Sequence, residues 1–187
     1  MEFRVKTIEK DLNYLKQISK EVDFKDENYK QEIEILAEYS RTKKLLAIAA
    51  IQLGIPKRMI YIRNTDLKNI GEESIDESRI LINPVIISRK GKTKYWEACA
   101  SCLDNMGLVT RPYEIVIEYQ DIDENKKIEI FTGFEATVLS HEYDHLNGIL
   151  HIDIAEQILN MPQEERKKFR ENHPYEIISK DCIFEEA

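Results

Sequence analysis

The residues best suited to do chemistry in this chain are His141, Glu142 and His145, within His141-Glu142-Tyr143-Asp144-His145. The pattern is HExxH. On a helix, positions four apart lie one above the other, so two imidazoles can reach one metal ion from consecutive turns. Glu142 would then stand beside them as a proton carrier. The bland alternative is two histidines and a carboxylate on an exposed helix face. The apolar residues leading into the motif favour the metal.

Catalytic sites of this kind take three protein ligands and leave one position open. Of the four histidines, His151 and His173 lie beyond the motif. Carboxylates remain, as does the pair in Cys99-Ala100-Ser101-Cys102. A CxxC pair also reads as half of a structural zinc site or as a redox dithiol. No second CxxC is present to complete a zinc ribbon. One of the two cysteines completing the HExxH site is the better account.

The motif needs a helix, and Phe134–Leu146 has helical spacing, with Phe134, Val138, Leu139 and Leu146 turned inward and Gly148 as a stop. Spacings of three and four predict a short amphipathic segment or helix over 9–22. A clearer helix is predicted over Glu27–Leu46. It leads into the apolar Ala47–Ile51, which must be buried and which stops near Gly54-Ile55-Pro56. Strands are expected at Met59–Arg63, Ile80–Ser88, Glu114–Gln120 and Lys127–Thr132, with Asp121–Asn125 as a hairpin turn. Residues 65–78 read as an exposed loop. A short charged helix spans Gln163–Glu171, broken by His173-Pro174. The expectation is an α+β fold: a single domain over 1–161, with antiparallel or mixed sheets around the central HExxH helix, and a helical tail over 162–187.

Bulk properties narrow the function. A length of 187 residues suits one domain with a sizeable core. Hydrophobic residues at 42% and charged residues at 33% suit a soluble globular chain. The net charge of −8 repels phosphate backbones, so direct nucleic-acid readout is not expected. No stretch approaches a membrane span, and the first residues carry no secretory signal. Three cysteines are too few for a disulfide framework, so a reducing cytoplasm is expected. A monomer is the default.

Three segments together resemble the signatures of the peptide deformylase family, GxGxAAxQ, EGCxS and QHExDHxxG. They are Leu45–Gln52, Glu97-Ala98-Cys99-Ala100-Ser101 and Ser140–Gly148, in family order. Ile82-Asn83-Pro84 precedes the second, and Val109 and Arg111 stand where the family has Val-x-Arg. The resemblance runs from about Leu12 to Ile154. It implies that Cys99, rather than Cys102, joins His141 and His145 around one divalent metal ion. By analogy that ion is iron(II), with zinc, nickel or cobalt able to substitute. It also implies removal of the formyl group from N-formylmethionyl nascent peptides.

In that reaction Glu142 would move the proton. Gln52 and the Ala100 backbone N–H would stabilise the oxyanion, although Gln52 also reads as a cap on an apolar segment. Leu46, Ala47, Phe134 and Val138 would line the methionine pocket, or else be plain core. Glu97, Arg111 and Asp144 would orient the ligands, or be surface charges. Family members can dock near the ribosomal exit through a carboxyl-terminal helix, and Arg166-Lys167-Lys168-Phe169-Arg170 is a basic patch on an acidic chain. The sequence departs from the signatures at Leu45, Ala47, Ala98, Ala100 and Ser140. Added side chains at lost glycines would narrow or shift the groove. Two other readings stay open: a general HExxH amidase or peptidase, and a non-catalytic or altered-substrate relative.

Overall fold

The elements follow as α1 (Ile8–Leu15), α2 (Tyr29–Thr42), β1 (Ala47–Ala49), β2 (Met59–Arg63), β3 (Ser78–Ala98), β4 (Asn105–Arg111), β5 (Glu114–Gln120), β6 (Lys126–Thr132), α3 (Phe134–Leu146), α4 (His151–Ile154), β7 (Gln157–Asn160), α5 (Gln163–Asn172) and β8 (Glu176–Ile183). This computed structural model describes residues 3–63 and 78–185. Every strand ladder described is antiparallel. The sheet order is β1-β2-β3-β4-β7, with β5 and β8 pairing other stretches of β3, and β6 pairing β5. The fold is α+β.

β2 shows why the sheet can hold a site. Successive side chains of a strand point to opposite faces. Ile60 and Ile62 join Leu81, Leu139 and Leu146 in one core that includes α3. Met59 and Tyr61 join Ile80, Ile82 and Leu36 in a second core that includes α2. Covered on both faces, β2 is apolar at nearly every position instead of alternating. Each fully buried Leu or Ile contributes about 1.5–3 kcal/mol, which fixes α3 against the sheet.

β3 is far longer than the expected Ile80–Ser88. It pairs in turn with β2, β5, β8 and β4. Asn83, at φ 51°, breaks the register after Ile82. Its amide binds both the N–H and the carbonyl of Val22. Gly91, at φ +72°, lets the strand pass under β8, since a Cβ there would sit 2.6 Å from the Ser179 carbonyl. The far end of β3 carries Glu97 and delivers Cys99.

Other expectations need correction. The helix expected over 9–22 ends at Leu15. Leu12 and Ile18 are exposed, and Ser19 donates its N–H to the Leu146 carbonyl, so the chain is already extended there. The helix expected to Leu46 stops at Thr42, because Lys44 takes φ 51° and Ala47 enters β1. The tail is helical only over α5; β8 then returns to pair with β3. The loop expected over 65–78 lies outside the described residues apart from Ser78, which opens β3.

Candidate active site

α3 spans Phe134–Leu146 and is buried around much of its circumference. Its polar residues are therefore held inside the protein: His141, Glu142 and His145 are each under a tenth exposed. Past its end, Gly148 takes φ +72°, and a Cβ there would meet the Lys16 carbonyl. Only glycine fits both the backbone and the space.

The rings of His141 and His145 lie 5.0 Å apart, centroid to centroid. Cys99, at the end of β3, puts Sγ 3.3 Å from Nε2 of His145. One donor atom from each of the three residues lies within 4.8 Å of the others, all buried. Cys102, packed with Leu15 and Leu150 beside Cys99, is not one of the three. A hydrogen bond from Cys102 lowers the Cys99 pKa, burial opposes this, and His145 lowers it again, for a net value well below that of an ordinary thiol. This favours the anionic form of Cys99. A buried thiolate beside two imidazoles is a donor set that fits a divalent transition metal.

Glu97, Arg111 and Asp144 stand directly behind these donors. Nδ1 of His141 donates to Oε2 of Glu97 at 2.8 Å. Arg111 holds the same carboxylate in a fork, Nε to Oε1 at 2.8 Å and Nη2 to Oε2 at 3.0 Å, and its Nη1 pairs with Asp144. Burial opposes the Glu97 charge, but Arg111 and His141 outweigh it and hold the carboxyl well below the usual range. The ionised carboxylate keeps the proton on Nδ1 of His141 and leaves Nε2 as the free lone pair.

Gln52 follows β1 in a tight turn over Ala50–Leu53. Its Oε1 accepts the Ala49 N–H at 3.0 Å, so the capping role is present. Its Nε2 points to the metal donors, 3.2 Å from Cys99 Sγ and 3.0 Å from Ser101 Oγ. Oε2 of Glu142 takes the same Ala49 N–H at 2.9 Å. Burial raises the Glu142 pKa above the usual carboxylate value.

Gln52, Glu97, Cys99, His141 and Glu142 open on a cavity of about 290 Å³. Leu46, Ala47, Ala100, Phe134 and Val138 all line it, as do Val5, Tyr95 and Arg170, which sequence reasoning missed. Tyr95 offered a signal, standing in the aromatic pair just before Glu97. Arg170 offered only its basic neighbours. His151 packs its ring 5.4 Å from that of His141, and its Nε2 donates to the Asn105 carbonyl at 3.2 Å. Burial lowers its pKa to about 4, so it stands as a neutral neighbour outside the group of three donors. His173 is exposed and stacks on Phe169.

The family model described as Polypeptide deformylase matches residues 4–160. The chain belongs to the polypeptide deformylase family. The peptide deformylase of Pelagibacter ubique is 34% identical over 145 residues, covering 77% of this chain and 81% of that protein. A probable peptide deformylase from a Synechococcus phage, S-SSM7, superposes with a TM-score of 0.71 at 32% identity, covering 81% of this chain and 99% of that one. The Met-Ala-Ser-bound class I type b peptide deformylase of Acinetobacter baumannii gives a TM-score of 0.69 at 25% identity, covering 82% and 98%. Peptide deformylases are metal-dependent enzymes, so neither a non-catalytic relative nor a general peptidase is favoured. Among the described residues, no helix is long and apolar enough to cross a membrane.

Proposed function

We propose that this deformylase removes the formyl group from N-formylmethionyl peptides, with Glu142 carrying the proton and Cys99, His141 and His145 holding the ion. The observation that carries the reading is the cavity itself, where an apolar wall, the Glu142 carboxylate and the Gln52 amide meet Cys99 and His141, with His145 completing the cluster of three donors just behind them. When bound, a divalent ion supplies Lewis acidity, making a water nucleophilic near neutral pH and polarising the formyl oxygen. Iron(II) suits the thiolate and imidazoles, and zinc, nickel or cobalt would be accepted.

The chain's own residues supply the rest. Leu46, Ala47, Phe134 and Val138 hold the methionine side chain and exclude water. Glu142 takes a proton from the attacking water, whose oxygen adds to the formyl carbon. Nε2 of Gln52 and the Ala100 N–H donate to the oxygen that gains charge. The carbon–nitrogen bond then breaks, Glu142 delivers its proton to the departing amine, and formate leaves. The Met-Ala-Ser bound to the Acinetobacter relative begins with methionine, which supports a methionine-headed peptide as the substrate.

The test is formate release from a short N-formylmethionyl peptide by iron- or nickel-loaded protein prepared without oxygen. Release is expected, and Glu142→Ala should lower it by about 10²–10⁴-fold while one ion per chain is retained. A loaded but inactive protein would overturn the reading.

A further inference from the structure

A second groove leaves the catalytic cavity at Ala98-Cys99-Ala100 and runs along α5. Its volume is about 640 Å³, and among the described residues its charged side chains are Arg166, Lys167 and Arg170 against Glu171. An excess of cations in a groove on a chain of net charge −8 needs an explanation. Arg170 belongs to both spaces. Its guanidinium lies 5.1 Å from the Tyr95 ring centroid, and its Nε and Nη2 both donate to the Trp96 carbonyl, at 3.3 and 3.0 Å. α5 is itself pinned by Phe169, edge-on to Trp96 at 5.3 Å. The cation is therefore fixed in advance at the mouth of the cavity, and little ordering is required when an anion arrives.

We propose that this groove is a subsite for acidic residues following the formylmethionine, with Arg170 as its specificity-determining residue. The proposal rests on the deformylase reading of the cavity. From Arg166 to Arg170 the helix advances about 6 Å, the span of about two extended residues. The basic face is thus matched to the two positions directly after the methionine. Arg170 and Lys167 supply charge-assisted contacts to their carboxylates, while Arg166 is held by the Met161 and Leu103 carbonyls and paired with Asp104 at 3.6 Å, so it shapes the groove more than it charges it.

The experiment compares formyl-Met-Asp-Glu-Ala with formyl-Met-Lys-Lys-Ala, using the full metal-loaded chain. The expected kcat/KM ratio is about five- to tenfold in favour of the acidic peptide, expressed mainly in KM and shrinking with added salt. Arg170→Gln should bring the ratio towards one, and Arg170→Lys should restore part of it. Lys167→Gln, at an exposed position, should lower it about twofold and keeps the question answerable should Arg170→Gln unfold. Calorimetric binding of the unformylated Met-Asp-Glu-Ala and Met-Lys-Lys-Ala reads the same preference without turnover. Absence of turnover with the binding preference intact overturns the deformylase reading alone. No preference in binding or turnover, or a ratio that survives both Gln variants, overturns the subsite. So does loss of ribosome co-sedimentation in those variants with the peptide ratio unchanged, which would assign the basic face to ribosome docking.

Discussion

Oε2 of Glu97 accepts the Nδ1 proton of His141 at 2.8 Å, on a carboxylate that Arg111 also grips with two nitrogens. One carboxylate therefore sets the tautomer of a proposed metal ligand and neutralises a buried guanidinium. Glu97→Gln keeps the shape and removes the charge. Metal affinity should fall about 10–100-fold, as when the outer partner of a ligating histidine is lost. Chelator competition checks this; unchanged affinity would leave Glu97 a purely structural partner of Arg111.

Gln52 has two separable duties, capping through Oε1 and donating through Nε2. Gln52→Ala should lower kcat about 10²–10³-fold with little change in KM, because an oxyanion donor acts mainly in the transition state. Loss of the cap should cost about 1 kcal/mol as well. Steady-state kinetics beside urea unfolding separates the two. A rise in KM at constant kcat would reassign Gln52 to substrate binding.

His151 makes stability depend on pH. Burial lowers it from the ordinary 6.5 to about 4. Between those values the unfolded chain binds a proton that the folded chain does not, so stability is lost as pH falls through the window. The full effect is roughly 3 kcal/mol at most. His151→Asn should flatten this dependence. Urea unfolding of metal-loaded protein at pH 7 and pH 5 measures it, and equal losses in both proteins would refute the assignment.

Gly148→Ala should destabilise by more than the about 1–2 kcal/mol that a left-handed backbone costs a residue with a Cβ. The added carbon also meets the Lys16 carbonyl. A urea midpoint within error of the unaltered chain would count against this.

The helix of the HExxH motif was legible from its spacing, and its bounds match Phe134–Leu146. The short-range signals were strong there, since four apolar residues and a glycine stop all agreed. The second half of β3 was hidden by Arg89, Lys90, Lys92 and Lys94, though Gly91 and Thr93 between them are buried. A period-two pattern existed, but lysines masked it. Ile18 and Val22 misled in the opposite direction, because helical spacing arose where tertiary hydrogen bonds held the chain extended. Arg170 was not legible as a cavity residue at all. Its place depends on α5 docking on Trp96, a contact between segments 74 positions apart.

The separation of Cys99 and His145 has a consequence for uptake of the ion they are proposed to hold. Cys99 and His145 are 46 positions apart, and they meet only once β3 has paired and α3 has packed against the sheet. Such closures are slow in sheet-rich proteins, because loop entropy is lost before the contacts that offset it have formed. The coordinating set is then a product of folding rather than its nucleus. An ion that binds this set and not the open chain deepens the native basin by about 2.7 kcal/mol when its free concentration is a hundred times Kd. The proposed ion would thus add to the stability of the fold, and a chelator would act on it as a mild denaturant.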